Sequence, residues 1–395
     1  MYNGGVFPGY MPAIFTRILK KPSDSILLLG PRGTGKSTWI RTHFKDAVTY
    51  DLLDSSEALR FNREPSLLYK ETSRLEPDSW VVIDEVQKAP AVLNEVHRLI
   101  EEKRLRFILS GSSARKLRRG GTNLLAGRAI LTPFFPLVSH EVGFDLPEMR
   151  QVRYGMLPKA WLSERPQNYL RTYAHTYLKE EIQTEALTRN IGAFSRFLEV
   201  AARQNGQITN FSNISRDAQV ARQTVEGYFE ILSDTLIGAW LPAWKLKRAT
   251  KQVRHPKFYF FDPGICRAFS ERLPYPPTEE EAGFLYETWI FNELRAYLSY
   301  SGLDYPLYYW SSYDRVETDF LLETASGYLA VEVKSAAVWR NSFHRGLARL
   351  RGEMGSGRMR CLGVYAGSRA AEFDGILVLP FIEFLKRLWA GEIIA

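Results

Sequence analysis

The stretch Gly30-Pro31-Arg32-Gly33-Thr34-Gly35-Lys36-Ser37-Thr38 constrains this chain more than any other. It follows an apolar run, Ile26–Leu29, and precedes a segment with helical character. A strand that turns through glycines into a helix is the local design of a phosphate cradle. Glycines let backbone N–H groups turn inward and approach phosphate oxygens. The N-terminus of the following helix adds partial positive charge. In such a loop Lys36 reaches the β- and γ-phosphates of a nucleotide, and Ser37 ligates magnesium.

The next hundred residues keep the same rhythm. Trp80–Ile83 and Arg106–Leu109 are short, continuous and apolar, as buried strands are. Between them Val92, Val96, Leu99 and Ile100 fall on one helical face. Strands alternating with helices predict a parallel α/β sheet. Asp84 ends the strand in "WVVIDE", where a carboxylate can hold magnesium through water. Glu85 follows, placed to polarise an attacking water. Ser110 ends the strand in "RFILSG" and is expected between these half-sites, orienting the water or capping the next helix. Arg128 in "LLAGRAI" is either a charge-neutralising arginine, in the same chain or across an interface, or a plain surface residue. The two prolines of "LTPFFPLV" break the rhythm.

"GPRGTGKST", "VVIDE" and "ILSGSS" together resemble the AAA family of ATPases over about residues 15–140. The resemblance implies ATP and Mg2+ as cofactors and a possible homo-oligomer that completes the site.

At roughly 150 residues per domain, 395 residues imply two or three domains. The apolar content of 45% and charged content of 24% are those of globular protein. Cys266 and Cys361 stand far apart without any CxxC or Cys/His cluster, which argues against zinc and a disulfide framework. That usage suits a reducing cytosol, and a cytoplasmic location is expected. No apolar run approaches the roughly 18–20 residues of a membrane span. The first ten residues lack the pattern of a signal peptide. The net charge of +8 and pI near 9.3 lean toward an anionic partner such as nucleic acid or nucleotide.

From about residue 145 to 240 helical patterns dominate. Phe211, Ile214 and Val220 fit a first helix and turn, and "RQTVEGYFEIL" a second helix with Val225, Phe229 and Leu232 inward. Arg222, Gln223 and Thr224 are then exposed where helix-turn-helix motifs present base-reading side chains. The following stretch carries Lys245, Lys247, Arg248, Lys251, Arg254 and Lys257 without an acid. Two strands with a basic turn make a wing that lies along DNA phosphates. Winged helices also serve as lids or docking modules, and a basic run is also an ordinary solvated face.

Beyond "ERLPYPPTEE" a helix leads into a hairpin, a further helix, a strand and a last helix, Phe381–Trp389. In the hairpin Glu332 and Lys334 share a face opposite Val331 and Val333. A cross-strand salt pair accounts for these residues at under about 1 kcal/mol. Asp319-x(12)-Glu332-x-Lys334, after a helix that offers Glu287, also resembles the PD-(D/E)XK nuclease-like pattern. That resemblance implies a divalent metal on Glu287, Asp319 and Glu332, with Lys334 acting on the attacking water. No proline precedes Asp319; Glu317-Thr318 stands there.

The expected architecture is a P-loop AAA-type parallel sheet in residues 1–145, a helical and winged-helix domain in 146–274, and a restriction-endonuclease-like α/β domain in 275–395. This order resembles a prokaryotic family of AAA ATPases with a nuclease-like C-terminal domain. The resemblance implies ATP binding. The expected function is a Mg2+-dependent ATP hydrolase that couples nucleotide state to a DNA-binding, nuclease-like C-terminal half. The alternative is a nucleotide-dependent scaffold whose nuclease-like domain is inactive and binds a protein.

Overall fold

The computed structural model describes residues 15–113, 127–177, 182, 188, 190–245, 255–314 and 316–394. Its first part runs β1 (Ile26–Leu29), α1 (Lys36–His43), β2 (Val48–Asp51), α2 (Ser55–Arg63), α3 (Leu67–Thr72), β3 (Trp80–Asp84), α4 (Val92–Lys103), β4 (Arg106–Gly111) and β5 (Ile130–Pro133). The strands form one sheet in the order β2-β3-β4-β1-β5, parallel throughout. Alternating side chains feed two cores. Val81, Ile83, Phe107 and Leu109 pack on Val92, Val96 and Leu99 of α4, while Ile26, Leu28, Val82 and Ile108 pack on Trp39 and Ile40 of α1.

Two strands exceed what the sequence shows. β2, "VTYD", has one fully buried residue, so no apolar run announces it. β5 ends in Pro133 and is an edge strand, where a missing N–H costs no ladder bond.

The middle part contains α5 (Arg150–Tyr154), α6 (Pro158–Leu162), α7 (Pro166–Thr176), α8 (Ile191–Arg203), α9 (Phe211–Ala218), α10 (Arg222–Asp234), the antiparallel pair β6 (Gly238–Leu241) and β7 (Lys257–Phe260), and α11 (Pro263–Phe269). The Asn210 side chain accepts from the Ser212 and Asn213 N–H groups and starts α9. Val225, Phe229 and Leu232 are buried on α10, as the sequence predicts.

The hairpin is not a free wing. The Trp244 N–H donates to Tyr309 O at 2.7 Å, and the Tyr309 N–H to Pro242 O at 3.0 Å. The Tyr309 hydroxyl donates to His255 O. The chain leaving β6 therefore pairs with the edge of the last sheet.

That last part begins with α12 (Glu279–Tyr300) and continues through β8 (Leu307–Ser311), β9 (Glu317–Thr324), β10 (Gly327–Lys334), α13 (Arg345–Met354), β11 (Met359–Tyr365), β12 (Ala371–Phe373), β13 (Ile376–Pro380) and α14 (Phe381–Trp389). The sheet order is β12-β13-β11-β10-β9-β8, with β10, β11 and β13 parallel. Val331 and Val333 join the core that contains Trp289 and Ile290 of α12, and Ala330 and Leu321 join Leu347 and Leu350 of α13. Among the described residues no helix is long and apolar enough to cross a membrane.

Glu293 of α12 ties the parts together. It accepts from the Ser139 N–H at 2.7 Å, the Ser139 hydroxyl at 2.5 Å, Trp289 Nε1 at 3.2 Å and Trp389 Nε1 at 2.8 Å. Burial pushes its carboxyl up from 4.5 to about 7, against the pull of these donors. Between those two values the folded chain holds a proton that the unfolded chain has released. Raising the pH through this window therefore destabilises the fold. Denaturation from pH 5 to pH 7 is expected to show wild type losing about 2 kcal/mol more stability than Glu293→Gln. Equal losses contradict this assignment.

Candidate functional site

The phosphate loop leaves β1 through a backbone that tolerates little beyond glycine. Gly33 and Gly35 have φ of 81° and 98°. A Cβ on Gly30 would lie 2.2 Å from Phe134 O, on the chain that leaves β5. Lys36, 5% exposed, folds over the loop and donates to Gly30 O at 2.7 Å and Pro31 O at 3.2 Å. The Thr34 hydroxyl donates to Pro31 O at 2.9 Å. Pro31, Arg32, Ser37 and Thr38 complete the turn into α1.

Behind the loop lies Arg17, which the sequence reading missed because no motif marks it. Its guanidinium donates to Thr34 O at 2.7 Å, Phe135 O at 2.7 Å and Pro136 O at 3.1 Å. It covers the Phe134 ring at 4.2 Å and pairs with Glu141 at 2.9 Å.

The sheet order brings the second half-site beside the first. β4 lies between β1 and β3, so Ser110 stands between the strand ends that carry Lys36 and Asp84. The Ser110 hydroxyl donates to Asp84 Oδ1, and the Glu85 N–H approaches Ser110 Oγ at 3.4 Å. Ser113 donates to Asp234 O at 3.4 Å. Glu85 sits at φ 58°, a left-handed conformation rare outside glycine. Its carboxylate accepts from the Gln87 amide and from the Ser112 hydroxyl, the latter at 3.1 Å. Gln87 was not legible as a site residue; only its place two positions after Glu85 marks it.

The donor set suits magnesium, a hard cation that takes oxygen ligands. Ser37 supplies a hydroxyl, and Asp84 a carboxylate held by Ser110. Arg128 does not join them within one chain. The register Ile26↔Ile130 puts it at the strand-N-terminal edge of the sheet, opposite the phosphate loop, and it pairs with Glu101 at 2.6 Å.

Two cavities flank the loop. One of about 310 Å³ runs past Gly35 and Thr38 between Phe15, Leu137, Pro158 and Leu162. The other, about 350 Å³, lies over Arg32 and Gly33 beneath Tyr169 and Tyr173 of α7. Lys159 of α6 borders both. Burial, aided by the charge of Asp262 and opposed by Arg32, pushes the Tyr169 hydroxyl up to about 12.

In the last sheet, Asp319 and Glu332 share the face of the hairpin that carries Leu321 and Ala330. Lys334 Nζ lies 2.5 Å from Glu332 Oε1 and 3.7 Å from Asp319 Oδ2. Asp319 Oδ2 also accepts the Val333 N–H at 2.8 Å. Glu287, buried on α12, accepts from the Tyr259 hydroxyl at 3.1 Å. Burial pushes both Glu287 and Glu332 up, and the charge of Asp319 adds to each. The expected metal set is corrected here. Among the described residues no group of three or more His, Cys, Asp or Glu is disposed to hold a metal ion. Glu287, Asp319 and Glu332 are paired with cations and hydrogen-bond donors instead.

Lys257 is a second correction. It is not an exposed wing residue but is 3% exposed, 3.1 Å from Glu317 and 4.0 Å from Glu287. Arg222 and Gln223 are exposed at the start of α10 and Thr224 is half-buried, with Arg222 pairing to Glu226 at 3.2 Å. Lys247 and Arg248 lie outside the described residues.

Comparison with known proteins divides the chain three ways. Residues 23–143 match the model of an AAA domain, residues 149–274 a domain of unknown function, and residues 282–384 another domain of unknown function. Uncharacterized proteins of Mycobacterium bovis and Mycobacterium tuberculosis are each 26% identical over 318 residues, which is 78% of this chain and 70% of theirs. Among solved structures, the Aeropyrum pernix ORC1 protein in complex with DNA overlaps 64% of this chain and 87% of its own, at 13% identity and a TM-score of 0.32. The Bacillus subtilis DNA clamp loader delta protein overlaps 53% and 83%, at 11% identity and 0.22. At these scores the overlaps assign neither fold nor ligand. The AAA domain match and the parallel sheet make the first part an AAA-type P-loop module.

Gly30→Ala tests the cradle. Its Cβ has to displace the Phe134 carbonyl, which is backbone. Titration with a fluorescent ATP analogue is expected to show affinity reduced by at least about tenfold, roughly 1.4 kcal/mol. Unchanged affinity contradicts the close approach.

Proposed function

We propose that this chain binds ATP with Mg2+ and hydrolyses it at the C-terminal strand ends of the first sheet. The observation that carries the reading is the strand order, which sets Ser110 between the phosphate loop of Lys36 and Asp84 at the C-terminal ends of the central strands. Gly30–Thr38 wraps the phosphates, and Lys36 leaves its loop carbonyls for the β- and γ-oxygens. Ser37 and Asp84 are the residues that would hold magnesium, whose charge offsets that of the phosphates. Glu85 takes the proton of the attacking water. Gln87 and Ser112 hold its carboxylate in place. The base enters the apolar slot between Phe15, Pro158 and Leu162, which begins where the loop ends. Lys159 borders both cavities, so α6 and α7 feel the nucleotide's charge and carry its state into the middle part.

The reading extends to three units, 1–145, 146–274 and 275–395, in the cytoplasm. The middle unit contacts DNA as a winged helix through Arg222, Gln223 and Thr224 and through the basic chain around Lys247 and Arg248. The +8 net charge supports this. A second copy supplying Arg128 across an interface remains part of the reading. The alternative, a nucleotide-dependent scaffold whose C-terminal domain docks a protein without cutting, is favoured by one observation: Lys257 and Lys334 are ion-paired within the acidic cluster.

ATP turnover and nucleotide binding test the first reading together. Lys36→Ala is expected to lose binding. Glu85→Gln is expected to keep binding and lose at least about a hundredfold in turnover, a general-base contribution. Parental turnover in both contradicts the site. For the middle unit, Lys247→Glu with Arg248→Glu is expected to weaken DNA binding and flatten its salt dependence by about two phosphate contacts. An unchanged salt slope removes this surface.

A further inference from the structure

One of the two cavities beside the phosphate loop has no task in binding or cutting the nucleotide. It encloses about 350 Å³ between Arg32 and Gly33 on the loop, Lys159 on α6 and one face of α7. Tyr169, Tyr173 and Thr176 follow at helical spacing, so they share that face. Tyr173 is buried in the core of the middle part, and Tyr169 packs against the same core. The Tyr169 ring reaches the loop because position 33 is glycine. A Cβ there would lie 2.9 Å from the Tyr169 hydroxyl, at a φ of 81°.

The charge of the lining has one sign. Its described residues include the cations Arg32 and Lys159 and no carboxylate. The rest, Gly33 aside, are tyrosines and threonines. Two of their hydroxyls are engaged, Tyr177 with Thr235 at 2.9 Å and Thr172 with Asn168 O at 2.9 Å. The Tyr169 hydroxyl makes no hydrogen bond among the described residues. Burial pushes it up to about 12, so it keeps its proton and stays a donor. Asp262, whose charge reaches Tyr169, has its oxygens committed to backbone, to the Met156 N–H at 2.6 Å and the Ile265 N–H at 3.0 Å. A cationic ligand finds no anion in this lining, whereas an oxyanion finds ammonium, guanidinium and hydroxyl donors.

We propose that this cavity is a second phosphate site, in which Lys159, Tyr169 and Thr176 hold a phosphate oxyanion on the α7 side of the loop. The nucleotide's phosphates take the N–H groups inside the loop, so the two anions use different donors. A phosphoryl group carries about −1.5 to −2 charges at neutral pH and offers acceptor oxygens only, which matches a lining of donors. Two sources supply this chemistry: the phosphate cleaved from the nucleotide, and phosphate from solution. The first rests on the proposed hydrolysis; the site itself does not.

The test titrates inorganic phosphate into the nucleotide-free full-length chain by calorimetry. Lys36→Ala forms the background, which removes the ammonium of the nucleotide site. That chain is expected to bind phosphate more tightly than about 1 mM. Tyr169→Phe with Thr176→Val is expected to weaken binding by at least about tenfold. Lys159→Gln is expected to do the same, and Lys159→Arg to keep the site. A background chain that binds no phosphate overturns the proposal, as does binding indifferent to these removals. If Tyr169→Phe with Thr176→Val does not fold, Lys159→Gln against Lys159→Arg decides, since Lys159 is exposed. Release of phosphate from ATP, timed against single-turnover cleavage with a fluorescent phosphate sensor, separates the sources. Given a sensitive titration, an interval altered by Thr176→Val identifies the nucleotide as the source and an unaltered one identifies solution; both support the site. A chain that does not cleave ATP removes the hydrolysis reading and leaves the titration to decide the site.

Discussion

The Arg17 guanidinium holds the nucleotide loop and the rest of the molecule in one frame. It is buried, 6% exposed at the side chain, against a fully buried Glu141. Such a charge is tolerated only when its donors are satisfied. Arg17 places its terminal nitrogens on carbonyls from both sides, Thr34 in the phosphate loop and Phe135 and Pro136 in the chain leaving β5, while its Nε lies 2.9 Å from the Glu141 carboxylate. Glu141 in turn accepts the Ile18 and Val138 N–H groups at 2.8 Å and 3.2 Å. Loop, sheet exit and the turn after it are therefore set by one ion pair. Three residues before Glu141, the chain reaches Val138, and the next residue is the Ser139 that Glu293 grips.

On the proposed nucleotide reading, this arrangement is the physical route from the phosphate loop to the C-terminal half. The turn at 138–142 is shared between Arg17 on one side and α12 on the other. α12 is a single helix of 22 residues, and it carries both Glu287 and Glu293. A shift of the phosphate loop that moves Thr34 O pulls on Arg17, and a shift of α12 moves Glu287 relative to Lys257. On the other flank Tyr169 lies over Gly33, so α7 also meets the loop directly. Coupling of this kind rests on packed and hydrogen-bonded elements, not on proximity in sequence.

What the sequence displays and what it hides follow from the range of the interactions. The phosphate loop is local: glycine backbone, lysine and following helix lie within a few residues, so spacing reveals it. Asp84 and Glu85 end an apolar strand and are nearly as plain. The buried faces of α4 and α10 follow from helical spacing, and so does Phe381–Trp389 at the C-terminus. Arg17, Glu141 and Glu293 are invisible because each acquires its role from partners more than a hundred residues away. Lys257 was misread for the same reason. In sequence it closes a basic run that suits a phosphate-binding wing. In the fold its strand pairs with β6, His255 just before it accepts from the Tyr309 hydroxyl of β8, and its side chain lies between Glu287 and Glu317. Asp319, Glu332 and Lys334 do converge, as the two-residue alternation predicts, but they converge as ion pairs.

The central claim is that nucleotide at the first sheet is felt by the C-terminal half through this frame. Hydrogen–deuterium exchange of the Glu85→Gln chain, with and without ATP and Mg2+, measures it most directly. The account predicts slower exchange in Gly30–Thr42, in residues 138–142 and along α12, all dependent on ATP. Protection that stops at the phosphate loop, with residues 138–142 and α12 unchanged, contradicts it.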